Sequence, residues 1–127
     1  MSPYVDPTEQ LVAEIFVRDI RRSRAFDERL GFDVLADRGS FVELAWEGHQ
    51  LFLDERPDLP PPPAYPRANV RVMVADVDAF WRRARDAGAP VLAPIGDRFY
   101  GLRDFTVLDP DGLGVRFASR LPQPHRP

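Results

Sequence analysis

A block of this sequence returns after a fixed interval. Val17-Arg18-Asp19-Ile20 opens an amphipathic stretch closed by Gly31, and Val74-Ala75-Asp76-Val77 opens another closed by Gly88. The valine, the aspartate and the glycine are each displaced by 57 positions. A duplicated strand–helix unit requires such equal spacing, because strand exit, helix cap and helix length then sit in one frame. Two copies of one module make the fold, and the residues that differ between the copies show where chemistry is possible.

A chain of 127 residues has the size of one ordinary domain and can build a core without metal or disulfide staples. Cysteine is absent, which excludes thiol redox catalysis, zinc ribbons and disulfide scaffolds. No apolar run approaches the roughly 20 residues of a membrane-spanning helix. The polar start Met1-Ser2-Pro3-Tyr4 lacks a signal-peptide pattern, so a soluble cytoplasmic protein is expected. The net charge is −3 and the 17 basic residues, all arginine, form no stripe, which argues against nucleic acid as a partner.

Residues 11–17 read as a strand with Ala13, Ile15 and Val17 on one face and Val12, Glu14 and Phe16 on the other. Asp19 is suited to cap a helix, which Ile20, Ser23, Phe26, Asp27 and Leu30 continue at near-helical spacing and Gly31 ends. Residues 32–35, 41–46 and 50–54 are short strands, giving a first β-α-β-β-β module. Residues 56–68 hold a proline run that cannot form helix or central strand, and read as a stiff linker tending to polyproline II. The module then restarts. Residues 69–74 form a strand, Asp76 caps a helix carrying Val77, Phe80, Trp81, Ala84 and Ala87, and Gly88 ends it. Residues 91–93 and 104–108 are strands, with 94–101 between them as a loop carrying Phe99 and Tyr100. Asp109-Pro110-Asp111-Gly112 reads as a type I turn before a returning strand at 113–118.

These landmarks together resemble the vicinal oxygen chelate superfamily, which holds glyoxalase I, extradiol dioxygenases, fosfomycin-resistance enzymes and bleomycin-resistance proteins. The matching pieces are Val17-Arg18-Asp19-Ile20 with Ser23, Phe26 and Leu30-Gly31-Phe32, then Val74-Ala75-Asp76-Val77, Gly88-Ala89 and residues 103–112. The resemblance implies an α+β fold in which two βαβββ modules form a curved mixed sheet around a cup, completed in a homodimer with or without exchange of modules. It places the first module at 10–55, the linker at 56–68, the second module at 69–119 and a loose tail at 120–127, one structural domain overall.

Enzymes of this kind hold a divalent metal at the start of the first strand and on the last strand of each module. By motif, those positions here are Val12, Asn69, a site near Leu51, and Arg116 four residues after Gly112. Val12 and Leu51 have no donor atoms, Asn69 offers a neutral amide, and Arg116 carries a positive charge where the enzymes place a carboxylate. The resemblance thus implies a site without metal or other cofactor, closest to the bleomycin-resistance-like branch.

Strand parity puts a polar set on the surface opposite the helices: Glu14, Phe16, Asn69, Arg71, Met73, Thr106 and Arg116. Such residues suit a solvated sheet face or the lining of the cup. Glu14 and Arg71 hold equivalent places in the two modules, so a salt bridge between them is expected; a general base at Glu14 is a further reading. Phe41, Trp46, Phe99 and Tyr100 join the candidate ligand-binding set as stacking surfaces, although Phe41 or Trp46 would equally fill a core beneath a helix. The loop 94–103, with Gly96 and Gly101 flanking two aromatics, is the candidate mobile flap.

The function this implies is non-catalytic sequestration of a sizeable aromatic or peptide-derived natural product, for self-resistance, storage or delivery, with no catalytic residues. Because Arg71 and Arg116 place positive charge inside the cup unless Glu14 and Asp104 neutralise it, a planar or partly anionic guest suits it better than a cationic one. The alternatives are a metal-dependent lyase, dioxygenase or thiol transferase using unorthodox ligands such as Glu14 or Glu43, and an accessory protein of an antibiotic pathway whose proline-rich segment contacts a partner.

Overall fold

The computed structural model of the chain describes residues 2–122. Its elements run α1 (Pro7–Gln10), β1 (Ala13–Val17), α2 (Ile20–Leu30), β2 (Asp33–Asp37), β3 (Phe41–Trp46), β4 (His49–Glu55), β5 (Asn69–Met73), α3 (Val77–Asp86), β6 (Val91–Asp97), β7 (Leu102–Leu108) and β8 (Gly114–Arg120). The chain divides into two compact units, Met1–Pro61 and Pro62–Pro127, with the boundary inside the proline run. Each unit holds one four-stranded mixed sheet, ordered β1-β4-β3-β2 in the first and β5-β8-β7-β6 in the second. In both, the first strand runs parallel to the last and the remaining pairs are antiparallel.

The interval of 57 reaches down to single hydrogen bonds. Asp19 accepts from the amides of Arg21 and Arg22, and Asp76 from that of Ala79, so each aspartate caps the first turn of its helix. At the other end the amide of Gly31 donates to Glu28 and that of Phe32 to Asp27, at 3.1 Å each. Gly88 and Ala89 repeat the pair on Arg85 and Ala84, at 3.0 and 3.1 Å. Both glycines lie at positive φ, 117° and 71°, where a side chain would be strained. The first helical amide is also taken by the last strand of its own module: Ile20 donates to Glu55 and Val77 to the Ser119 hydroxyl, each at 3.0 Å.

Each sheet turns one face to its helix. In the first unit Val17, Ile20, Leu30, Val42, Leu44, Leu51 and Leu53 are buried. In the second the rings of Phe80 and Phe117 stack at 5.1 Å, Phe117 lies 5.5 Å from Phe105, and Trp81 meets Phe105 edge-on at 5.1 Å. Trp81, half-buried on the apolar side of α3, thus rests against the sheet.

Three expectations change. Residues 94–97 belong to β6 rather than to a loop, because the pairing with β7 shifts register between Val91 and Ala93 and again between Ala93 and Gly96. Those irregularities on an edge strand absorb Pro94 and Gly96, which in the sequence read as a break. The flap is accordingly a tight turn over 98–101, closed by the Gly101 amide on the Arg98 carbonyl at 3.2 Å. The tail shortens too, since β8 includes Arg120; residues 123–127, with His125, lie outside those described. No helix among the described residues is long and apolar enough to cross a membrane.

The turn after β7 fixes the start of β8. Asp109 accepts from the amides of Asp111 and Leu113, both at 2.8 Å, and the Gly112 amide donates to the Asp109 carbonyl. Gly112 sits at φ 85°, and a Cβ there would come 2.8 Å from Cβ of Pro62. Gly112→Ala is therefore expected to lower stability by about 1–3 kcal/mol, through strain at positive φ and displacement of Pro62. Urea denaturation followed by circular dichroism measures it.

Candidate functional site

Register decides which side chains share a surface. Asn69, Arg71 and Met73 of β5 pair with Gly114, Arg116 and Ala118 of β8, and Arg116 stands opposite Thr106 of β7. Asn69, Arg71, Met73, Thr106 and Arg116 thus lie together on the face turned away from α3, as strand parity predicts. Tyr100 reaches this face from the turn, with the Arg116 guanidinium 5.3 Å from its ring centroid. Phe99 is fully exposed and touches Tyr100 edge-on at 5.2 Å.

Asp104 organises these groups. It is 3% exposed, and its Oδ2 accepts from the Tyr100 hydroxyl at 2.6 Å and from Nη2 and Nε of Arg116 at 2.6 and 3.0 Å. Its Oδ1 accepts from Nε of Arg98 at 2.7 Å. Burial alone would raise this carboxyl, but the hydrogen bonds from Tyr100, Arg98 and Arg116 outweigh it and hold the acid below its ordinary 3.8. The bond to Asp104, with burial, pushes the Tyr100 phenol up, so Tyr100 remains a donor. Two of these three partners come from the turn that the sequence marked as mobile, and they fasten it to the sheet. Beside them a groove of about 560 Å³ is lined by Arg71, Met73, Tyr100, Leu102, Arg116 and Arg120.

The open face of the first unit has a different character. Glu14 and Phe16 pair with Phe52 and Asp54, and Phe41 and Glu43 stand across from Asp54 and Phe52. Phe41 and Phe52 meet at 5.4 Å, and the Arg56 guanidinium lies 4.9 Å from the Phe16 ring centroid. A hydrogen bond with Asp54, with burial and the neighbouring charge of that acid, raises the Glu14 carboxyl above its ordinary 4.5. Glu43 is paired with Arg38 at 3.0 Å. Trp46 does not join this surface. It is five residues from Phe41, hence on the opposite face, where it packs edge-on against Phe32 at 5.1 Å. A second recess of about 810 Å³ flanks α2, but Arg24 in it is paired with Glu28 and Asp37.

The positions where the enzymes of the resembled superfamily hold their metal do not suit a divalent cation. Val12 precedes β1, Leu51 is buried on the helix-facing side, and Arg116 is bound to Asp104. Asn69 lays its side chain over Gly114, where a Cβ would collide with its Oδ1. Among the described residues no group of three or more His, Asp or Glu side chains is placed to hold a metal ion. Sequence reasoning gave Asp104 only a neutralising role and passed over Leu102, Arg120 and Phe52. All four follow the parity of residues it did select, and the period-two rule extended along β4, β7 and β8 finds them.

The family model of the glyoxalase/bleomycin resistance protein/dioxygenase superfamily matches residues 9–117, and the chain belongs to that superfamily. Among solved structures, TioX from Micromonospora sp. ML1 is similar with a TM-score of 0.73 at 25% identity, covering 87% of this chain and 98% of that one. A glyoxalase/dioxygenase from Nostoc punctiforme gives 0.77 at 19%, covering 97% and 99%. A bleomycin-binding protein complexed with bleomycin gives 0.70 at 22%, covering 88% and 98%. A search of the curated proteins finds no match.

Replacing Asp104 by Asn leaves Arg98 and Arg116 without a counter-charge. The expected loss at neutral pH is roughly 2 kcal/mol, below the value for a fully buried pair because both guanidinium groups keep contact with solvent. The wild-type carboxyl is lowered by folding, so its stabilisation is fully present above the ordinary 3.8 and fades as pH falls through the lower folded value. The gap between wild type and variant should therefore close under acid, as thermal melts from pH 7 to pH 2 would show.

Proposed function

We propose that this chain is a cytoplasmic, homodimeric binding protein that sequesters a sizeable aromatic natural product without transforming it. The observation that carries the reading is Arg116 on the last strand, ion-paired with buried Asp104 at 2.6 Å. A guanidinium fixed there repels the cation through which enzymes of the superfamily polarise a substrate, and leaves a groove suited to holding a guest. Two aromatic surfaces support the same reading. Phe16, Phe41 and Phe52 face away from α2, and Tyr100 with Phe99 stands over the face opposite α3. One protein of this fold is a bleomycin-binding protein complexed with bleomycin, which supports a guest of that size class.

Within this reading Phe16, Phe41, Tyr100, Met73 and Thr106 supply contact surface, and Asn69, Arg71 and Glu14 polar contacts. Binding requires affinity and a defined stoichiometry rather than stabilisation of a transition state. Calorimetric titration with a panel of flat aromatic antibiotics is expected to give saturable binding, with the guest recovered chemically unchanged. Phe16→Ala and Tyr100→Ala should each weaken a guest that stacks on them by about 1 kcal/mol. Turnover of the guest, together with a stoichiometric divalent metal retained through dialysis, would overturn the reading.

A further inference from the structure

We propose that the groove of the second module is an oxyanion site, and that it takes the carboxylate or phosphate of an anionic aromatic guest through Arg71 and Arg120. The proposal rests on the aromatic-guest reading above and adds the charge of the guest. Arg71 and Arg116 stand in register on adjacent strands, roughly 5 Å apart, where two like charges oppose pairing. Asp104 relieves this for Arg116 alone. Its Oδ2 accepts from Tyr100 and twice from Arg116 and its Oδ1 from Arg98, so the charge of this acid is already engaged by two other arginines and a phenol. Within the module, Arg71 and Arg120 have no acidic partner among the described residues. Arg120 lies opposite Leu102 and shares the Arg116 face, so the two guanidinium groups that lack an acid within the described residues of the module border one groove.

The groove is open to solvent, so an acid can reach the exposed Arg71 and Arg120 while Met73, Leu102 and the Tyr100 ring offer an apolar surface for the aromatic part of the same guest. Its volume of about 560 Å³ holds a small aromatic group along with its acid. The planar guanidinium fork fits carboxylate and phosphate oxygens two at a time. The corresponding face of the first module carries Glu14, Glu43 and Asp54 and offers an anion no such partner. A module that keeps two like charges side by side gives up stability that a neutral pair would keep, as binding sites do.

Calorimetry with four naphthyl probes tests this: 2-naphthoate, 2-naphthyl phosphate, 2-naphthalenemethanol and 2-naphthylmethylammonium. Both anions are expected to bind about tenfold more tightly than the alcohol, with the cation weakest. Whichever anion binds better identifies the acid. Arg71→Gln and Arg120→Gln should each cost the anions about tenfold and leave the alcohol nearly unchanged, while Arg67→Gln in the linker alters neither. Arg71→Gln should also melt at or above the parent temperature, since it removes a repulsion; a marked fall would assign Arg71 to the fold and overturn the proposal. Equal binding of alcohol and anions, or anion binding untouched in both groove variants, would overturn it while sparing the aromatic-guest reading. Failure of every probe to bind would overturn both.

Discussion

Parallel pairing of the first and last strand within each module is the constraint on which the remaining geometry depends. Such a pair cannot be closed by a short turn, so the chain must leave, build a helix and a hairpin, and return. On return, the strand brings a polar group to the open end of the helix: Glu55 on the Ile20 amide, Ser119 on the Val77 amide. The sheet then has a helix on one side only, and period-two alternation assigns each residue either to the core or to the open surface. Val115 and Phe117 fall to the first, Arg116 between them to the second.

The duplicated frame was legible because its determinants are local. An aspartate one residue before the helix and a glycine at its end act through neighbouring backbone groups, and both helices begin where the sequence placed them. The hairpin of β6 and β7 was not legible from the same rules. Pro94 and Gly96 are breakers in a regular strand, but an edge strand tolerates them through slips of register that only its partner reveals. Parity held for Arg71 and Arg116 and holds for Trp46 as well: that aromatic was chosen for its chemistry, although its odd offset from Phe41 already assigned it to the helix side.

The two modules keep the same scaffold and have diverged on their open surfaces. One presents phenyl rings beside the hydrogen-bonded acids Glu14 and Asp54; the other presents arginines around a single buried carboxylate. The features in common, caps, returning strand and helix-facing apolar residues, are those needed for each unit to close. The features that differ lie where substitution leaves the core untouched, which is why function can change there without loss of the fold.

The turn over 98–101 illustrates a kinetic consequence. Arg98 and Tyr100 at its two ends are tied to one buried acid, so this segment is ordered during folding by the chain's own groups. A molecule arriving at the groove meets a wall already in place and has no loop to organise. Under the proposed binding role, capture would proceed at a rate set by diffusion and orientation, and the lifetime of the complex, rather than the speed of its formation, is the quantity that mutation of this surface would tune.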